Sequence, residues 1–407
     1  MDELLAHPSI HSITAKEMKK KILVLPSWYP SDIHPINGVF IQEQVLALSQ
    51  EYLVAVLVPC FIGWRQILRG TITFKSRLEE QGGVYVVNDG RAACIPRIPR
   101  LSYSMYARAA RQGFEKLLSE WGRPDIIHAH VVLPAGWAAT VLKKKYDIPV
   151  VLTEHSGPFS MHLKTSSNRQ LVKDTLTRAD RVITVSPALA RQIKDFIPTI
   201  DLQVLGNIIN TDYFTPGEKQ SRDTSRSSCR FLTVAIIKKP KGLHYLLEAA
   251  HILMRRGQTS FELIIGGDGP QRQRLMIMAQ QMGLSEKCRF LGGLAPSEVR
   301  NQMQQCDVFV LPSLQETFGI VLGEAMSCGK PVIATRCGGP EYVVTPETGF
   351  LVDVADPVAL ADAMERFILG HVNYDPTIIR QTVKERFGKE AYLNNISKVY
   401  DQLFSLH

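Results

Sequence analysis

Short apolar, β-branched runs alternate with stretches of helical periodicity along nearly the whole chain, and this alternation narrows the fold more than any other feature. Lys21–Leu25, closed by Pro26, is followed by a helix-period stretch over Val39–Ser49 and a second apolar run at Leu53–Pro59, which reads β-α-β. Ile126–His130, Val150–Thr153 and Arg181–Val185 continue the series, separated by helical patterns over Ala135–Lys145, Asn168–Thr177 and Ala188–Phe196. Alternation of this kind implies a parallel sheet with helices on both faces.

After Asn207 the periodicity fades into Pro216–Ser228, a polar stretch rich in Ser, Arg and Asp, and a linker is expected over 208–228. A second alternating set then runs from Phe231–Ile236 to Pro331–Ala334. At 407 residues the chain exceeds one ordinary core, and two domains of roughly 150 to 200 residues are the natural division. The expected fold is α/β, with two Rossmann-like doubly wound domains, 18–207 and 229–387, facing across a cleft at the carboxyl ends of their strands. Residues 1–17 are polar and expected to fray. Met18, followed by Lys19–Lys21, reads like a second start.

Hydrophobic residues at 45% and charged residues at 21% exclude a disordered or fibrous chain. The apolar runs are strand-sized, well short of the ~20 residues that cross a bilayer. Seven scattered cysteines without a C-x-x-C pair give no zinc or redox motif and fit a reducing cytosol. The net charge of +8 is uneven, with eleven Lys/Arg against five acids over residues 60–123. The aromatic-basic modules of nucleic-acid binding are absent, so an anionic lipid or phosphorylated acceptor suits this bias, as does a merely solvated basic face.

The chemistry concentrates in Leu311–Ala334, where a strand ends, a loop carries Glu316, and Gly319 opens a helix bearing Glu324. Gly319 allows close backbone approach, and the N–H groups that follow, at Ile320 and Val321, can receive a diphosphate. Glu324 can then bind a diol such as ribose, and Glu316 the hydroxyls of a sugar beyond the phosphate. A plain amphipathic helix with solvated acids is the alternative, and the apolar surroundings of Glu324 argue against it. In the first half, V-L-T-E-H ends a strand at His155, and His128 and His130 share one strand face. No third ligand at fitting spacing makes that pair a metal site, which leaves it to line an acceptor pocket or to support the strand end.

The stretch around Glu316 and Glu324 resembles the E-x7-E motif of glycosyltransferase family 4, the group 1 retaining glycosyltransferases of GT-B fold. The resemblance extends through Pro124–His130, Ala179–Pro187, Gly266–Pro270, Cys306–Ser313, Cys337–Val344, Gly349–Val352 and Asp356–Met364. It implies a nucleotide-diphosphate sugar donor held by the second lobe and a sugar or lipid-linked acceptor held by the first. Glu324 would hold the ribose, Glu316 the donor sugar, Lys241 the phosphates, and His155 would lie near the anomeric centre. Gly38, with Asn37, falls in the loop that approaches the donor phosphate, and Asn207 matches a family position. The family's phosphate-binding arginine is replaced by Ile236, for which Lys238 is the candidate substitute. No D-x-D pair occurs, so metal-independent chemistry without a cofactor is expected, and the resemblance implies front-face attack with retention. Lys389–Phe404 suits a helix returning to the first lobe over 388–407. Trp64, Ile67 and Leu68 beside Arg65 and Arg69 suit a peripheral visit by a cytoplasmic enzyme to the inner face of the plasma membrane, in cell-surface polysaccharide or glycolipid synthesis. An epimerase acting on the donor alone, or a degenerate binding module, is the alternative.

Overall fold

A computed structural model of the chain describes residues 19–31, 36–63, 77–81, 84–88, 91–94, 99–217 and 228–405. The extension 1–17, the Trp64–Arg69 cluster and most of the polar stretch before Ser228 lie outside the described residues.

The first lobe contains β1 (Lys21–Pro26), β2 (Leu53–Leu57), β3 (Cys60–Gly63), β4 (Arg77–Gln81), β5 (Val84–Asn88), β6 (Arg91–Cys94), β7 (Ile126–His130), β8 (Val150–Glu154), β9 (Arg181–Thr184) and β10 (Gln203–Val204). Eight of these form one sheet in the order β10-β9-β8-β7-β1-β2-β5-β4, parallel except where β4 runs antiparallel to β5 at the edge. The strands β3 and β6 pair separately. In the second lobe, β11 (Cys229–Val234), β12 (Phe261–Gly266), β13 (Cys288–Gly292), β14 (Val308–Leu311), β15 (Val332–Thr335) and β16 (Gly349–Val352) form a parallel sheet in the order β13-β12-β11-β14-β15-β16. Central strands β1, β7, β8 and β14 are buried at nearly every position, as strands covered on both faces must be.

Each sheet reverses direction once, between β1 and β7 in the first lobe and between β11 and β14 in the second. A crevice opens at the strand ends where the winding reverses, and ligands bind there in open α/β sheets. The loops after these four strands carry Gly38, Lys238, Lys241 and Glu316, and His155 follows β8, the neighbour of β7.

The chain crosses between the lobes again at its end. The helix Pro376–Phe387 packs against the helix Ile320–Ser327 of the second lobe, and after Gly388 the helix Lys389–Phe404 returns to the first. There it buries Tyr392, Leu393, Ile396, Val399, Tyr400 and Leu403 against Ile22, Val24, Val54 and Val56. Residues 208–217, expected to be linker, are packed chain. Ile208 and Ile209 are buried, Ile209 N donates to Phe387 O at 2.8 Å, and Arg380 bonds to the Thr211 and Phe214 carbonyls. The sequence hides this because the packing partners lie in the distant 380–388 crossing.

Candidate active site

The second-lobe wall is built from three loops locked to one another through glycine. Gly319, at φ 90°, starts the helix Ile320–Ser327 in the left-handed region, which only glycine visits cheaply. Just before it, the Glu316 carbonyl accepts from Gly339 N at 2.8 Å, and a Cβ at Gly339 would come within 2.3 Å of Phe318 N. Gly242, at φ 64°, starts the helix Leu243–Arg255, and a Cβ there would meet the Pro312 carbonyl. Leu314 N donates to Pro240 O at 2.8 Å, which completes the lock. The consequence for the side chains is direct: Lys241 Nζ bonds to Glu316 Oε2 at 2.6 Å.

Glu324 lies one helix turn inward from Gly319, half-buried, and its carboxyl is pushed up to about 7 by burial and secondarily by the negative charge of Glu43. Glu43 belongs to the first-lobe helix Val39–Leu48, where Asn210 Nδ2 donates to its Oε2 at 3.0 Å. The two carboxylates therefore feel each other across the cleft. Ile236 is 50% exposed, so the apolar side chain standing in the family's arginine position faces solvent. Lys238 is also exposed, and its carbonyl accepts from Lys241 N at 2.9 Å, which puts both lysines in one turn. The Gly267–Gly269 loop folds over this segment, with Ile237 N donating to Asp268 O at 2.8 Å.

In the first lobe, Gly38 is buried at φ 74°, starts the helix Val39–Leu48, and could carry no Cβ without striking the Trp28 carbonyl. Asn37 is exposed. His155 follows β8, is only 6% exposed, and packs 4.9 Å from the Phe40 ring. The turn that holds it depends on Glu154, which is fully buried. Glu154 Oε2 accepts from Val132 N at 2.7 Å and Oε1 from Ser156 N at 2.7 Å and His155 N at 3.0 Å. Reasoning from sequence passed over Glu154, although an ionisable residue ending a wholly buried strand was the available signal. Gly157, two residues past His155, approaches Thr317 so closely that a Cβ would lie 2.3 Å from Thr317 Cγ2. The His155 loop and the Glu316 loop thus meet.

His128 and His130 are fully buried. His128 has both nitrogens occupied, Nδ1 by Tyr400 OH at 2.7 Å and Nε2 by Thr153 Oγ1 at 2.8 Å, so it braces the strand end against the returning helix and offers nothing to an acceptor. His130 reaches the site only through His155, whose Nε2 lies 2.9 Å from His130 Nδ1. Of the two roles expected for the pair, His128 takes support of the strand end.

Two parallel-sheet lobes, each with a crevice where its winding reverses, have the architecture of the GT-B fold. Residues 218–390 match the family described as "Glycosyl transferases group 1", and residues 72–213 match "Glycosyltransferase Family 4". The chain belongs to this family of glycosyltransferases. It is 30% identical over 272 residues to a D-inositol 3-phosphate glycosyltransferase of Corynebacterium jeikeium (strain K411), a match covering 60% of this chain and 64% of that one. With TuaC of Bacillus subtilis (strain 168), named for teichuronic acid biosynthesis, it shares 28% identity over 91% of this chain and 96% of that one. Among solved structures, sucrose-phosphate synthase from Thermosynechococcus elongatus superposes with a TM-score of 0.73 at 21% identity, over 96% of this chain and 100% of that one. Anabaena HepE in complex with UDP gives 0.71 at 18% identity, over 94% and 100%. These likenesses show the same fold.

Proposed function

We propose that the chain transfers a glycosyl group from a nucleoside-diphosphate sugar to a hydroxyl acceptor, with retention at the anomeric carbon and without a metal. The observation that carries the reading is the 2.6 Å Lys241–Glu316 pair, locked beside the start of the helix that bears Glu324. A diphosphate at that helix start gains the helix dipole, the free N–H groups at Ile320 and Val321, and the Lys241 charge. Lys238 in the same turn adds the second cation that Ile236 does not supply. Glu316 then faces the donor sugar and Glu324 the ribose. The anomeric C–O bond to the β-phosphate breaks as the acceptor oxygen bonds on the same face, and the departing phosphate takes the acceptor proton. Positive charge placed where the leaving group develops its negative charge stabilises the transition state by several kcal/mol.

His155, opposite Glu316 across the touching loops, lies against the sugar in this reading. HepE structures with UDP and with UDP-glucose support a nucleotide sugar as donor. The likeness to TuaC over most of both chains supports an acceptor in cell-surface polysaccharide synthesis. The basic bias of residues 60–123 supports a visit to an anionic membrane from the cytoplasmic side. No helix among the described residues is long and apolar enough to cross a membrane.

Incubating the purified chain with UDP-, GDP- and ADP-sugars in EDTA, with mass detection, tests the reading. Slow donor hydrolysis, accelerated by a polysaccharide or lipid-linked acceptor, is expected. Acceptor-free interconversion of the donor points to an epimerase, and binding without turnover points to a degenerate module in which exposed Ile236 has cost the clamp; either outcome overturns it.

A further inference from the structure

His130, paired with His155 at the ends of β7 and β8, is a buried polar residue that the chemistry above leaves unused. His130 is fully buried, its Nδ1 lies 2.9 Å from His155 Nε2, and the rings stack at 5.2 Å between centroids with planes 26° apart. A neutral imidazole carries one proton, so one of the facing nitrogens donates and the other accepts. Among the described residues, the outer nitrogens, Nε2 of His130 and Nδ1 of His155, have no hydrogen-bond partner. A buried polar atom left unbonded costs about 1–3 kcal/mol, so a strand end built for stability alone would do better with an apolar residue at 130. His128, two residues earlier, shows the contrast, since both of its nitrogens are satisfied.

The surroundings give the pair a direction. Tyr392 OH donates to Gln44 Oε1 at 2.9 Å, and Gln44 Nε2 donates to Asn207 Oδ1 at 3.2 Å. Asn207 lies beside His155 and favours a proton on that ring. With the proton on His155 Nδ1, Nε2 is the lone-pair atom, and an N–H at His130 Nδ1 satisfies it. Burial depresses protonation of both rings, His155 to about 3 and His130 well below the usual histidine range, so the pair is neutral and the arrangement is one of tautomers, not of charge.

We propose that His130 is a positioning residue that fixes the tautomer and tilt of His155 at the sugar site. The inference rests on the reading of His155 given above. A donor N–H behind the ring holds it neutral and at one angle, and such placement is worth orders of magnitude in rate when the group faces a reacting centre.

The test compares His130→Leu, which fills the space without a hydrogen bond, with His130→Asn, whose amide reaches the place of Nδ1, and with His155→Ala. Once the donor screen has identified a substrate, kcat and donor KM are measured for each, with melting curves and a long-range 1H–15N spectrum of the histidine rings. The expected result is a loss of at least about tenfold in kcat for His130→Leu with KM little changed, equivalent to about 1.4 kcal/mol. His130→Asn recovers most of it, and the His155 nitrogens, two separate shifts in the wild type, merge toward an average in His130→Leu. Wild-type kcat in His130→Leu, with His155→Ala inactive, overturns the role of His130 alone. Equal loss in the Leu and Asn variants, tracking their melting temperatures, overturns it in favour of plain structural support. Full transfer by His155→Ala removes the premise and so overturns the inference at its root.

Discussion

Glu324 combines a half-buried carboxyl, pushed up to about 7, with the Glu43 charge facing it from the other lobe. Between the ordinary value of 4.5 and about 7 the folded chain therefore holds a proton that the unfolded chain has lost, so stability from this group is present at low pH and falls as pH rises through that window. Donor binding runs the other way, because a carboxylate accepts from both hydroxyls of a ribose while the neutral acid must turn one oxygen into a donor. Nucleoside-diphosphate affinity should thus strengthen as pH rises from about 6 to about 8, with proton uptake by the buffer visible in calorimetry. Glu43→Gln removes a like charge and should move the midpoint down; a midpoint unchanged in that variant means that burial alone sets it. Glu316→Ala should abolish transfer, and Glu324→Ala should mainly raise the donor KM, as steady-state kinetics on the two variants will show. Glu316 and Glu324 could be singled out in the sequence because each is local to a loop or a helix start, and Lys241 through the family resemblance; the structure brings Lys241 and Glu316 together. Glu43 and Glu154 could not, since what makes them matter is a neighbour brought in by folding: the opposite lobe for one, and the Val132 and Ser156 amides for the other.

At the scale of elements, the alternation gave away two parallel sheets covered by helices, but the order of their strands and the edge of the first lobe did not follow from it. The β4–β5 hairpin and the helix Pro99–Glu120 come from a mixed, basic segment in which neither the period of a strand nor that of a helix dominates, and an edge held on one side needs no such pattern. The helix starts were only partly legible: a glycine before an apolar run suggests a cap, whereas the reason Gly242 cannot be replaced is the Pro312 carbonyl, visible only in the packed structure. Gly242→Ala places a Cβ 1.9 Å from that oxygen at a backbone angle that disfavours L-residues, so a loss of roughly 2–4 kcal/mol is expected, with donor binding weakened further because Lys241 is displaced. Urea melts with and without nucleoside diphosphate separate the two effects, and a wild-type midpoint would show that the loop yields freely. The returning helix depends on a different kind of contact. Tyr400→Phe strands His128 Nδ1 in the core, and a destabilisation of about 1–3 kcal/mol in the same melts is the expected cost of an unpaired buried group.

For the whole molecule, the position of one lobe on the other decides whether His155 and Glu316 face a single substrate, and the two crossings of the chain set that position. They are packed on each other. Gly206 lies against Phe318 and Phe387, so closely that a Cβ would come within 2.8 Å of either ring, and Ile209 N bonds to Phe387 O. Arg380 ties the bundle together from the second lobe, with Nη1 donating to Phe214 O at 2.9 Å and Ser327 O at 2.6 Å, and Nη2 to Thr211 O at 2.8 Å. A guanidinium that satisfies three carbonyls from two segments works as a clasp, because its planar fork fixes their relative angle. Arg380→Met keeps an unbranched apolar stem and removes all three bonds, leaving each carbonyl to find water or another donor. Each lobe retains its own sheet and core, so the far-ultraviolet circular dichroism should hold while the angle between the lobes broadens. The expected signature is a larger radius of gyration in X-ray scattering of the free enzyme, narrowing when donor is added. With it should come a fall in kcat/KM of about tenfold, the worth of roughly 1.4 kcal/mol of lost alignment. A scattering curve identical to that of the wild type, together with unchanged kcat/KM, would mean that the apolar contacts among Gly206, Phe318 and Phe387 set the angle by themselves and that Arg380 only satisfies the backbone around it.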